Sequence, residues 1–257
     1  MKKARNIFVI FGIIAIVIMG YLPKLKSPLE AGLAAYAEQD YTQALTSFTE
    51  AAEKGDAKAQ YNLGTMYEAG EGVAPSDSEA AKWYQKAVDQ DFKEAQFNLG
   101  VLYDNGKGVP HSDTQAAELY QKAAAQGLPL AQFNLGMMHY TGTGIEQSNE
   151  QAVIWFRKAA EQDLGQAQQN LGTFYANGWG VEKNENVAAL WIEKAADQGR
   201  AGAQFDIGVA YYYGNGVPQS TETAIMWLNK SAAQGNEKAV DGLAEIATAE
   251  QNTRTEE

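Results

Sequence analysis

Asn62, Asn98, Asn134 and Asn170, with Asp206 in the fifth place, stand 36 residues apart. A side-chain amide donates and accepts hydrogen bonds at once, which suits the alternating groups of a peptide backbone. Asn105 and Asn177 lie seven residues beyond two of them. Positions 58, 62, 65 and 69 follow the i, i+4, i+7, i+11 spacing of one helix face, so the column and its extension form one stripe. The stripe supports two readings. It can grip an extended peptide, or its amides can bond to neighbouring helices and hold them in register.

Covalent chemistry has fewer candidates. The two histidines are His111, in a loop after Pro110, and His139, which replaces the tyrosine of a column formed by Tyr67, Tyr103, Tyr175 and Tyr211. There is no cysteine, which excludes thiol catalysis, cysteine metal sites and disulfides. Ser-x-x-Lys, His-Glu-x-x-His and the Walker loop are all missing. Gly-x-Gly recurs but never extends to Gly-x-Gly-x-x-Gly, and no pair of carboxylates is singled out. These absences predict a chain that is not an enzyme, with no cofactor, metal or small-molecule substrate. Aromatic residues offer a second kind of contact. Trp179 sits between two turn glycines, where other units carry Glu71, Lys107, Thr143 and Asn215. Tyr212 and Tyr213 extend Tyr211 into a triple, and Tyr140 shares the column of Tyr212. Exposed aromatics at the ends of adjacent units would form an anchoring patch; the alternative is that Trp179 folds down over its loop.

The elements that position these residues come from the period itself. Ala59, Ala95, Ala131, Ala167, Ala203 and Ala239 keep the 36-residue step, as do Gly64, Gly100, Gly136, Gly172 and Gly208. A fixed period of this length marks a solenoid built from one supersecondary unit, which makes an extended surface rather than a closed pocket. In the first unit Ala59, Leu63, Met66 and Tyr67 mark the core side of a helix A, and Gly70-Glu71-Gly72-Val73 ends it. Ser76, Ser112, Ser148, Asn184 and Ser220 are N-cap types for a helix B, with Glu79, Gln115 and Gln151 placed for a capping box. Trp83, Trp155, Trp191 and Trp227 read as core, and the lysines from Lys86 to Lys230 as partners of the helix B dipole. Gly127, Gly199 and Gly235 close helix B where Asp91 and Asp163 stand in the other units.

The ends differ from the body. Lys2, Lys3 and Arg5 precede an uncharged apolar run from Ile7 to Leu22. That is the layout of a secretory signal, and the lack of a well-placed small-x-small site favours an uncleaved anchor over a cleaved one. The charged amino end should stay cytoplasmic and the repeats lie across the membrane. The net charge is −12, and residues 1–26 contain basic but no acidic residues, so the body is more acidic still. That argues against nucleic acid as a partner. The expected division is an anchor at 1–27 and a shortened unit at 28–58, in which Leu33 to Tyr36 stand for helix A and Ala44, Phe48, Ala51 and Ala52 for helix B. Five full units follow at 59–94, 95–130, 131–166, 167–202 and 203–238, then a capping helix at 239–247 and a disordered tail at 248–257.

The string Ala59-Gln60-Tyr61-Asn62-Leu63-Gly64-x-x-Tyr67-x-x-Gly70-x-Gly72-Val73, followed by Ala80-x-x-Trp83-Tyr84-x-Lys86-Ala87, resembles the Sel-one-like repeat (SLR), a relative of the tetratricopeptide repeat. The likeness covers about residues 30–246 and recurs in step. It implies an all-α, α/α superhelical solenoid of antiparallel helix pairs, here with an N-terminal transmembrane helix. In tetratricopeptide-repeat proteins the equivalent stripe lines a concave groove that holds extended peptides. The resemblance implies adaptor or scaffold work, often in bacterial envelopes. Some cysteine-rich relatives are described as β-lactamase-like, but this chain lacks their cysteines.

The expected function is therefore a protein–protein scaffold in the inner membrane, with its repeats in the periplasm, binding a peptide or helix of an envelope protein. Alternatives are an immunity or inhibitor protein against a secreted toxin, and a cell-wall or β-lactam hydrolase. The alternative location is secreted or periplasmic after signal cleavage.

Overall fold

The computed structural model describes residues 26–256. The apolar run from Ile7 to Leu22 lies outside the described residues, and no described helix is long and apolar enough to cross a membrane. The described residues form 13 α-helices and no strand. They fall into two compact units, the first ending at Trp83 and the second beginning at Tyr84.

The first unit holds α1 (Pro28–Ala37), α2 (Tyr41–Glu53), α3 (Ala57–Ala69) and the start of α4 (Asp77–Val88). Ser27 and Glu30 cap α1 with a complete reciprocal box, and Asp40 and Asp56 accept backbone N–H groups at the starts of α2 and α3. Ala44, Phe48, Ala51 and Ala52 are buried. On α1 the buried residues are Gly32 and Ala35, while Leu33 and Tyr36 are each 37% exposed. The shortened unit thus turns a small-residue face to its core, because the Phe48 ring needs that room: a Cβ on Gly32 would lie 2.5 Å from it.

The second unit continues with α5 (Lys93–Asn105), α6 (Asp113–Ala125), α7 (Pro129–Thr141), α8 (Asn149–Ala160), α9 (Gly165–Asn177), α10 (Glu185–Asp197), α11 (Ala201–Tyr213), α12 (Thr221–Ala232) and α13 (Glu237–Glu256). From α6 on, each helix packs on the one before it in sequence. Helix A is represented by α5, α7, α9 and α11. Each ends on a left-handed glycine, as at Gly178 (φ 72°) and Gly214 (φ 75°). The second glycine of each turn has a different job. A Cβ on Gly180 would sit 2.3 Å from the Asn149 carbonyl carbon, and one on Gly216 would sit 2.0 Å from the Glu185 oxygen. There the loop rests on the first turn of the previous unit's helix B, so only glycine fits between them. Ser112, Ser148, Asn184 and Ser220 cap helix B through their side chains. The reciprocal half of the box does not form at Gln115 or Gln151, where only the serine oxygen accepts.

Several expected core positions shift. The fully buried column on helix B is the residue after each tryptophan position: Tyr84, Tyr120 and Phe156, then Ile192 at 7% and Leu228 at 1% exposure. Trp155 and Trp191 are half-buried, and Trp227 alone of these is buried. A lysine one turn on covers each ring. Lys158, Lys194 and Lys230 place Nζ 4.0, 4.5 and 3.9 Å from the centroids of Trp155, Trp191 and Trp227. The lysine column is thus a cation–π partner of the tryptophans as well as a dipole complement. The last helix also runs past the expected boundary at 247, to Glu256. No glycine or proline interrupts Thr248–Glu256, so nothing in the sequence stops a helix already nucleated on the stack.

A buried polar column completes the core. Gln60, Gln96, Gln132, Gln168 and Gln204 are at most 5% exposed. Gln132, Gln168 and Gln204 each donate to a carbonyl of the preceding helix B (Ala124, Ala160 and Ala196) at 3.2 Å. Their own oxygens accept from Gln162, Gln198 and Gln234, just past the end of helix B in the same unit, at 2.8–2.9 Å. Gln126 donates to Gln96 in the same way. Each buried amide therefore ties two consecutive units, and its polar atoms are satisfied at the point of burial.

Candidate functional site

The asparagine stripe lies on helix A, and each member faces the residue fourteen positions earlier on the preceding helix B. That residue is Phe48, Tyr84, Tyr120, Phe156 and Ile192 in turn. Its identity decides what the amide does. Over Tyr84, Asn98 Nδ2 donates to the phenol oxygen at 3.1 Å. Over Tyr120, Asn134 hydrogen-bonds the phenol, whose own proton goes to Asp104 at 3.3 Å. Burial, with the Asp104 charge beside it, pushes the Tyr120 phenol well above its ordinary pKa, so it remains a neutral donor.

The other three positions have no phenol. Over Phe48, Asn62 Nδ2 is shielded from solvent and has no hydrogen-bond partner. It lines a cleft of the first unit together with Leu33, Tyr36, Tyr61 and Thr65. At the cleft's edge Tyr36 donates to Glu71 at 2.6 Å, and this bond with burial raises the Tyr36 pKa to about 12. Over Phe156, Asn170 reaches only the Met137 sulfur at 3.2 Å, a weak acceptor. Over Ile192, Asp206 accepts from Gln169 at 2.9 Å. Burial raises the Asp206 pKa, opposed by the Gln169 hydrogen bond and the charge of Lys238. The two readings of the column thus divide between its members: Asn98 and Asn134 are tied to the framework, while Asn62 and Asn170 keep hydrogen-bonding capacity to offer. Asn105 and Asn177 donate to carbonyls one turn back on their own helices, Val101 and Thr173, both at 2.8 Å.

The aromatic residues form two pairs. Trp179 stacks on Tyr140 (centroids 5.8 Å apart, 20° between planes), and both meet Phe174 edge-on. Trp179 thus folds onto Tyr140 of α7 and Phe174 of α9, and is still 37% exposed. Tyr212 and Tyr213 meet edge to face at 5.0 Å. Tyr212 packs against the cluster of Leu228, Ala239 and Ile246, and Tyr213 is the more exposed at 63%.

His139 is half-buried, with Nδ1 3.2 Å from the Glu146 carbonyl oxygen, and His111 is exposed beside Asp113. No group of metal-ligating side chains occurs among the described residues. Sequence reasoning missed one exposed row. Ile154, Leu190 and Met226 are 44%, 52% and 44% exposed on helix B, where the earlier units carry Lys82 and Glu118. The change of residue type within one column was the available signal.

The Sel1 repeat family matches six consecutive segments, residues 29–56, 57–92, 93–128, 129–164, 165–199 and 201–236. The first of these is the shortened unit. A protective antigen of uropathogenic Escherichia coli with an SLR fold is similar at 36% identity and a TM-score of 0.79, over 82% of this chain and 46% of the antigen. This chain thus spans about half of that protein's length. A Sel1 repeat protein from Oxalobacter formigenes is similar at 33% identity and a TM-score of 0.76, over 80% of this chain and 84% of that one. None of the curated proteins matches the chain.

Proposed function

The chain belongs to the Sel1 repeat family, and from that premise we propose that it is a protein-interaction scaffold that holds a peptide or helix of an envelope protein on its helix A stripe. The observation that carries this is the Asn62 amide, shielded from solvent yet without a hydrogen-bond partner, beside an open cleft. A buried donor left unpaired costs about 1–3 kcal/mol, and an arriving peptide carbonyl would recover it. Asn170 repeats the arrangement with only a thioether as partner. An amide of this kind on a helix A suits the backbone of an extended ligand. In this proposal the run from Ile7 to Leu22 anchors the chain in the inner membrane, with the repeats in the periplasm.

Crosslinking and pull-down from membranes with the full-length chain tests the reading. Asn62→Ala/Asn170→Ala should lose the partner at least tenfold. Asn98→Ala/Asn134→Ala should lose it only as far as stability falls. Trp179→Ala/Tyr213→Ala measures any share of the aromatic pairs. Leu190→Lys interrupts the exposed helix B row. Loss of the partner from Leu190→Lys, with full recovery from Asn62→Ala/Asn170→Ala, would move the binding face to helix B and end the proposal.

A further inference from the structure

The cleft over Ile192 differs from every other position of the stripe. It is a cavity of about 140 Å³ between α9, α10 and α11, walled by Ala176, Ala188, Ile192, Val209 and Ala210. The half-buried Asp206 lines it, together with Glu185 and Asn215. The same cleft two units earlier is lined by Asp104, Tyr120 and Asn134. That cleft is also open, at about 210 Å³, but its phenol engages both polar neighbours, donating to Asp104 and hydrogen-bonding Asn134. Among the lining changes between the two clefts, three alter the hydrogen-bonding set: Tyr120 to Ile192, Asp104 to Ala176 and Asn134 to Asp206; Met137 to Val209, Met138 to Ala210 and Thr143 to Asn215 change as well. The first two changes remove the phenol donor and its acceptor. The third puts a carboxylate where an amide stood.

A carboxylate behind apolar walls wants a donor, and a cationic one most. The protein gives it the Gln169 amide. Lys238 acts on it through space, but among the described residues no cation comes within ion-pair distance of it. The volume is far below the roughly 300–1,000 Å³ of a small-molecule pocket. It suits the end of one long side chain, with methylenes against alanine, isoleucine and valine and a charged head at the carboxylate.

We propose that the Asp206 cleft is a specificity pocket for a lysine or arginine side chain of the bound partner. This rests on the scaffold reading above, and it adds which residue the partner must present at the fifth unit. The Asn62 and Asn170 positions read backbone, and Asp206 reads a cation.

The test titrates n-butylammonium and N-propylguanidinium into the full-length chain, with n-butanol as the neutral control, and follows amide NMR shifts. The cations should shift resonances of α9–α11 around the cleft, and n-butanol should need at least tenfold higher concentration. Asp206→Asn should weaken the cations at least tenfold. That variant should fold, because asparagine is the residue of the other four units. Ile192→Tyr with Ala176→Asp and Asp206→Asn restores the tyrosine, aspartate and asparagine hydrogen-bond set of the earlier cleft and should abolish the shifts. Lys238→Gln removes the competing charge and should tighten the cations about twofold or more. Equal binding of cation and alcohol, or cation binding unchanged by Asp206→Asn, overturns the pocket. If the cations fail while partner capture still depends on Asn62 and Asn170, the pocket falls and the scaffold stands. If the cations bind at Asp206 but no partner is captured, the pocket stands as a cation site and the scaffold falls.

Discussion

Two clefts of the second unit share one position in the repeat and do opposite things. At the earlier one Tyr120, Asn134 and Asp104 form a closed set of hydrogen bonds that joins α5, α6 and α7. At the later one Ile192 and Ala176 offer no hydrogen bond, and the half-buried Asp206 carboxylate lines the cavity with the Gln169 amide as its donor. Backbone geometry is the same at both ends of the comparison: αL glycines at 142 and 214, and N-caps at Ser112 and Asn184. What differs is the side chain beneath the stripe. A repeat can therefore release a polar position of the stripe from the framework by exchanging side chains while its backbone stays the same.

The largest effect should come from breaking the backbone that frames both clefts. Thr143 and Asn215 line the two clefts, and each immediately precedes a turn glycine. Gly216→Ala places a Cβ 2.0 Å from the Glu185 oxygen at φ 72°. The left-handed backbone and the forced shift together should cost about 2–4 kcal/mol. Urea unfolding measures this directly. A loss under about 1 kcal/mol would mean that the loop moves aside freely and does not hold the cleft's shape.

A smaller effect should come from exchanging the residues beneath the stripe. Tyr120→Phe keeps the ring but strands Asn134 and Asp104, at a cost of about 1–2 kcal/mol. The reverse change, Phe156→Tyr, offers Asn170 a phenol oxygen and should stay within about 1 kcal/mol of the parent while reducing partner capture. If both variants destabilise equally, the amides over Tyr120 and Phe156 do the same job and the distinction between them is lost.

The sequence displays the architecture because periodicity survives any choice of ligand. Glycine pairs, cap serines and the alanine columns each answer to a backbone requirement that recurs in every unit, so the helices, turns and shortened unit are legible without coordinates. The buried glutamine column was equally visible as a pattern, but a glutamine gives no sign of its burial until its partners 30 residues on are seen beside it. The tryptophans misled for the opposite reason: a large apolar residue at helical spacing reads as core, whereas a lysine one turn on lets its ring stay half-exposed. The site was half legible. The stripe could be read along helix A, but which amides are engaged depends on a residue fourteen positions earlier on another helix, and only the packing pairs the two columns.

Asp206→Asn should have the smallest effect on stability and the most telling pH dependence. Burial raises the Asp206 pKa, so the folded chain holds this proton more tightly than the unfolded chain does. The carboxyl's favourable contribution is full below the unfolded pKa, near 3.9 for an ordinary aspartate, and is lost as pH rises through the folded value. Asparagine does not titrate. The variant should therefore match the parent in acid and exceed it at neutral pH, by under about 1 kcal/mol, because Gln169 and Lys238 already offset part of the cost. Urea midpoints from pH 3 to 8 for both chains give the comparison. Saturating n-butylammonium should erase the difference by stabilising only the parent at neutral pH, since it supplies a cationic donor to the carboxylate. A gap that is independent of pH, or one that widens in acid, would mean that Asp206 is solvated like any surface carboxylate and that the two clefts differ only in volume.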